Sequence, residues 1–191
     1  YQSWLDQDDD TVVEEALTAA IARTNRLRID LVNNSATGHE LAAVDYELGL
    51  IAELRGDLSR AEEKYGLAIA EFGAENASAY VTYIALARVQ QRAGQLDEAV
   101  ATLQQAHDLD PSAPWALLAL AQLRVDDRAA AESLLAQAQE LAPNHAYVDL
   151  MAAELCSAWA DYACAAAAYQ RALEKRPDSG WLYGRIGDFY R

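Results

Sequence analysis

The residues able to do chemistry are few and scattered. The three histidines, His39, His107 and His145, lie far apart in sequence. His107 falls on a helix, and His39 and His145 are expected in loops between helices. Catalysis or metal binding needs two or three such groups to converge, so these read as solvated surface histidines. The paired carboxylates Glu14–Glu15 and Glu62–Glu63 are sequence neighbours, which on a helix point to different faces. The sequence has no glycine-rich phosphate loop, HExxH, GxSxG or CxxC. No cofactor or metal is expected, and the chain does not read as an enzyme. Cys156 and Cys164 are the one pair with a chemical option. They stand four residues before and four after Ala160, within one expected helical hairpin. A disulfide would close a short loop if the Cα atoms come within about 7 Å, contributing about 2–3 kcal/mol, and would place the protein in an oxidising compartment. Otherwise Cys156 is a small semi-buried residue and Cys164 an unrelated thiol near the turn.

Composition narrows the class. Hydrophobic residues make up 52% of the 191, yet only 8% are aromatic. Much of the remainder is alanine, the best helix former, which lets helices approach closely. No stretch approaches the roughly 18–20 apolar residues of a membrane span. The formal net charge is −15 and the only lysines are Lys64 and Lys175, with arginines scattered singly. Nucleic acid binding needs clustered cations, so it is not expected. The chain opens on Tyr1 without a signal-like segment, and it is expected to be a piece of a longer or processed protein.

The elements follow from periodicity. From Thr11 to about Val32, Val13, Leu17, Ala20, Thr24, Leu27 and Leu31 share one helical face. Asp8–Asp10 precede it, and Trp4 and Leu5 would end a partner helix. Residues 33–38 form a loop on composition. Residues 80–111 predict two short amphipathic helices joined at Gly94: Tyr83, Leu86 and Ala87 on the first, Ala99, Leu103 and Ala106 on the second. Asp97 is placed as the second helix's cap and Pro111 as its stop.

That hairpin resembles the tetratricopeptide repeat, whose signature is an aromatic, a Leu–small pair, a turn glycine, then Ala, a large apolar residue, Ala and Pro. The Leu–small pattern recurs as Leu48–Gly49, Leu86–Ala87, Leu120–Ala121, Ala152–Ala153 and Ile186–Gly187. The small residues are spaced by 38, 34, 32 and 34 positions. The resemblance covers residues 42–191 as four complete units and the first helix of a fifth. Residues 1–41 are then a helical segment, a degenerate repeat or cap. The unit with Val125–Asp126–Asp127 has no turn glycine and predicts a tightened turn.

The resemblance implies an all-α, right-handed α-solenoid of antiparallel helix pairs, because a single pair cannot bury its apolar face alone. It implies a concave groove lined by first helices and holding a partner peptide or segment. Carried over by position, the groove residues are Tyr46 and Leu50; Val81, Ile84, Arg88 and Arg92; Trp115, Leu118 and Gln122; Tyr147 and Leu150; and Trp181. Trp115, Tyr147 and Trp181 recur at the same place in three repeats. They either anchor an apolar partner or pack against the preceding repeat, while Arg88 and Arg92 reach a carboxylate. The Lys and Asn of chaperone-tail-binding relatives are missing at the matching places. The expected function is a protein-interaction scaffold, a fragment of a larger bacterial signalling or assembly protein. Arginine and alanine richness carries the bacterial reading. The alternative is self-association through the last helix, where Ile186, Phe189 and Tyr190 are expected to be open.

Overall fold

The structure is a computed structural model describing residues 6–34, 37–73 and 76–189. Trp4, Leu5 and Tyr190, and part of the loops expected at 33–38 and 73–77, lie outside the described residues. The elements are α1 (Asp6–Asn33), α2 (Gly38–Leu54), α3 (Leu58–Phe72), a 3₁₀ turn (Ala77–Ala79), α4 (Tyr80–Arg92), α5 (Leu96–Leu109), α6 (Trp115–Leu123), α7 (Arg128–Leu141), α8 (Ala146–Ala158), α9 (Tyr162–Lys175) and α10 (Gly180–Phe189). No strand occurs among the described residues. This is the all-α architecture of helix pairs expected from the repeat spacing.

Local chemistry sets the helix ends. Thr37 caps α2 in a capping box with Glu40. Asp57, Asp127 and Asp161 cap α3, α7 and α9, each side chain accepting an amide three residues on. Gly56 and Gly94 turn the chain at positive φ (77° and 81°), which glycine adopts without steric cost. Several expectations shift by a few residues. α1 begins at Asp6, so Asp8–Asp10 fall inside it. His39 lies in α2, not in a loop, because Thr37 starts that helix early. Asp97 lies in the first turn of α5, not at its cap.

The chain forms two compact units, residues 1–109 and 110–191. In the first, α2 pairs with α3 and α4 with α5, while α1 packs on α2 and α3 on α4. Ala52, Ala61, Tyr65, Ala85 and Val89 make its central cluster. The close approach of α2 to α3 is set by Gly49, where an added Cβ would stand 2.5 Å from the Tyr65 ring. In the second unit, α6 pairs with α7 and α8 with α9, and α10 packs on α9. Ala121, Ala131, Ala138, Ala153, Ala165, Ala168 and Ala172 are fully buried there among leucines, Val148 and Met151. Small residues therefore sit at the helix crossings, as the repeat pattern requires.

Candidate partner-binding site

Each unit presents its own first-helix surface. In the first unit, Tyr46 and Leu50 of α2 and Ile84 of α4 are half-buried, and Val81 is 59% exposed. Tyr46 leans on Tyr65 with ring centroids 5.6 Å apart. A cleft of about 650 Å³ opens beside them, with Arg23, Thr24 and Leu27 of α1 forming one wall and Tyr46, Glu47 and Val81 among the residues opposite. The α1 wall was not part of the groove carried over from the resemblance. The run Thr24–Leu27 on one helical face was its only signal.

Arg88 and Arg92 do not wait for a partner's carboxylate. Glu53, near the end of α2, accepts from Arg88 Nε and Nη2 at 2.8 and 2.7 Å and from Arg92 Nη1 at 3.0 Å. The Tyr65 hydroxyl also donates to it at 3.1 Å. Burial pushes the Glu53 carboxyl up, but the Arg88 hydrogen bonds and charge outweigh that and hold it below the usual carboxylate value. Tyr65 is raised by burial and by the neighbouring Glu53 carboxylate. Both arginines are thus ion-paired within the unit, sharing the one Glu53 carboxylate. Position alone could not reveal this, since Glu53 and Arg88 are 35 residues apart.

In the second unit, the three expected aromatics form a continuous row. The rings of Trp115 and Tyr147 meet edge to face at 5.8 Å, and those of Tyr147 and Trp181 lie nearly parallel at 6.5 Å. His145 adds its ring edge-on to Trp115 at 4.8 Å. Trp115 is half-buried, while Tyr147 and Trp181 are 39% and 56% exposed. Each stands in the first turn of its helix, so the rings share one end of the helix layer. Leu118 and Leu150 depart from expectation. Both are buried in the core with Met151 and Ala153 and offer nothing to a partner. Gln122 is exposed, its amide 3.9 Å from the Met151 sulfur.

Beside the row lies a pocket of about 180 Å³ bounded by Asn144, His145, Tyr147, Arg176, Ser179 and Trp181. At the far end of α10, Ile186 and Phe189 are half-buried, and Phe189 packs on Tyr169 (5.0 Å between centroids) and Tyr162 (6.2 Å). That part of the face expected to be open is covered within the chain. Trp181 and Tyr183 are the exposed aromatics of α10.

Two further charged clusters have no counterpart in the motif. Asp45 is fully buried, accepting from Arg28 Nε at 2.6 Å and Lys64 Nζ at 3.0 Å. Arg28 also bonds Glu71, whose carboxyl is raised by burial and by Asp45. Asp149 is buried in the same way, held by Arg171 at 3.0 Å and by Lys175. Cys156 of α8 and Cys164 of α9 are joined in the structure, with Cα atoms 5.7 Å apart. Among the described residues, no group of three His, Cys, Asp or Glu could hold a metal, and no helix is long and apolar enough to cross a membrane.

Comparison with known proteins places this geometry. Residues 80–123 match the tetratricopeptide repeat family model. Comparison with curated protein sequences returns no match. Among solved structures, the chain is similar to TTC0263, a tetratricopeptide-repeat protein of Thermus thermophilus. The two share 22% identity with a TM-score of 0.69, over 95% of this chain and 94% of that one. A tetratricopeptide repeat protein of Parabacteroides merdae matches at 18% identity and TM-score 0.66, over 97% of this chain and 70% of its own. YrrB, described as a TPR protein with an unusual peptide-binding site, matches at 20% identity and TM-score 0.56, over 93% and 86%.

Proposed function

Because the chain carries a tetratricopeptide repeat within a fold shared by proteins of that family, we propose that it is a non-enzymatic scaffold that holds a segment of another protein along the row Trp115–Tyr147–Trp181. This fold serves generally as a protein–protein interaction scaffold. The observation that supports the finer reading is the row itself. Three large rings, one from each first helix of the unit, are held at contact distance while two of them stay substantially exposed. Rigid aromatic anchors of this kind supply contact area at small entropic cost. The same reading takes the chain to be bacterial, supported by its arginine and alanine richness.

The test is selection of a displayed random-peptide library on the intact protein, followed by titration of the selected peptides using tryptophan fluorescence. Trp115→Ala and Trp181→Ala are expected to weaken binding by about tenfold or more, with unchanged helical circular dichroism. Selected peptides that bind both variants as well as the parent would overturn the reading, and so would a library that yields no binder.

A further inference from the structure

The pocket at the end of the aromatic row is lined by hydrogen-bond donors and no carboxylate. We propose that it takes the carboxylate of an Asp or Glu side chain, presented by the partner segment that lies on the row. This inference rests on the reading of the row as a binding site, and it names the chemistry of the occupant.

Three observations carry it. The first is Arg176, at the C-cap of α9. The chain has 30 acidic residues against 15 cations, and four other cations of the unit stand in ion pairs. Arg128 faces Glu132 and Asp161, Arg171 and Lys175 face Asp149, and Arg185 faces Glu154. Arg176 has no carboxylate partner among the described residues and lines the pocket instead. A guanidinium left uncompensated on so acidic a chain favours an acidic group brought from outside.

The second is the polarity of the remaining wall. His145 Nδ1 accepts the Tyr147 amide at 3.3 Å, which leaves its Nε2 to carry the ring N–H. The Ser179 hydroxyl oxygen accepts the Leu182 amide at 3.4 Å, leaving its proton to donate. With the Asn144 amide, these are donors that match an anionic acceptor.

The third is the frame. Lys175 Nζ bonds the buried Asp149 and also donates to the Pro143 carbonyl (2.5 Å for the latter), tying the turn that carries Asn144 and His145 to the end of α9. The Arg176 wall and the His145 wall are therefore fixed to each other. A volume of about 180 Å³ suits one side chain, whose stem would lie against Tyr147 and Trp181. A single arginine matches one carboxylate better than a doubly charged phosphate, which recurrently draws arginine clusters.

The experiment uses a library of twelve-residue segments flanked on both sides by fixed neutral residues, selected in parallel on the intact protein and on Arg176→Gln. Selection on the parent is expected to enrich Asp or Glu next to an aromatic or aliphatic residue. Converting that acid to its amide should then weaken binding about tenfold, and the difference should shrink in high salt. On Arg176→Gln the acid and amide peptides should bind within about twofold of each other, while Arg176→Lys keeps part of the preference. An acidic preference undiminished in Arg176→Gln overturns the proposal, as does binding that needs a free C-terminal carboxylate. Neutral peptides that still depend on Trp181 overturn the pocket and keep the row. Acidic peptides sensitive to Arg176 but indifferent to Trp115→Ala and Trp181→Ala keep the pocket and overturn the row.

Discussion

Arg88 grips Glu53 through two hydrogen bonds of 2.8 and 2.7 Å, joining the first helices of successive pairs in the first unit. The arginine expected to meet a partner's carboxylate therefore already holds one from its own chain. Its loss should be read in stability before binding. Arg88→Ala is expected to cost about 1 kcal/mol, because Arg92 and the Tyr65 hydroxyl still satisfy Glu53. Glu53→Gln should cost about 1–2 kcal/mol at neutral pH. The folded-state pKa of Glu53 is depressed, so its contribution is complete above the unfolded value of about 4.3 and is lost as pH falls through the folded value. Urea unfolding from pH 7 down to pH 3 should show a smaller acid-side loss for Glu53→Gln than for the parent. Equal losses would separate Glu53 from the acid response.

Gly49 and Tyr65 test the tightest helix crossing. Helix propensity alone would favour alanine over glycine by about 1 kcal/mol. A Cβ here would instead meet the Tyr65 ring at 2.5 and 2.6 Å. Overpacking of a filled core outweighs propensity, so Gly49→Ala should destabilise the first unit by about 1–2 kcal/mol. Adding Tyr65→Leu should make the second change less costly than in the parent background, a coupling readable in a double-mutant cycle. Additive effects would show that the contact is relieved without strain.

Asp45 and Asp149 mark where the sequence stopped being legible. The spacing of Gly49, Ala87, Ala121 and Ala153 yields the helix pairs because each small residue reports on its own close contact. Asp45 and Asp149 lie four residues before two of those positions, where Tyr83 and Leu117 stand in the other repeats. Their partners come from other helices, 17 to 26 residues away, so no local pattern announces them. The same holds for Glu53 and Arg88, whereas the aromatic row was legible because its members recur at the repeat spacing. Both of the chain's lysines are committed to these two aspartates. Asp149→Asn should cost about 1–2 kcal/mol, since it removes the buried charge to which the partly exposed Arg171 and Lys175 donate. Amine acylation followed by mass spectrometry should label Lys64 and Lys175 slowly in the folded parent, and Lys175 faster in Asp149→Asn. Equal labelling rates in the two proteins would show that Asp149 does not shield Lys175.

Ala160 occupies the turn between α8 and α9 at φ 57°, the conformation Gly56 and Gly94 adopt in the turns of the first unit. The Asp161 amide closes back on the Cys156 carbonyl at 2.9 Å, as Asp57 does on Ala52 and Gln95 on Gln90. A side chain in the left-handed region carries a steric cost that glycine avoids. Ala160→Gly should accordingly raise stability by about 0.5–1 kcal/mol, measured by denaturant midpoint with an unchanged slope. A loss would mean that the added freedom of the unfolded chain outweighs the relief of the turn.

The same turn is bracketed by Cys156 and Cys164, which we propose form a disulfide in the oxidised protein. Their Cα separation of 5.7 Å falls within the range such a bond spans, and the two residues are eight positions apart. Closing so short a loop removes little chain entropy, so the expected contribution is about 2–3 kcal/mol. The α8–α9 hairpin is already tied by the Asp149 ion pairs and by the buried run of Ala165, Ala168 and Ala172. Reduction should therefore lower stability without unfolding the hairpin. Thiol counting on the unreduced, denatured protein should find no free cysteine. Adding dithiothreitol should lower the denaturant midpoint of the parent and leave a Cys156→Ala, Cys164→Ala double variant unmoved. Two free thiols, or a midpoint indifferent to reductant in the parent, would show that the cysteines serve as small buried side chains alone.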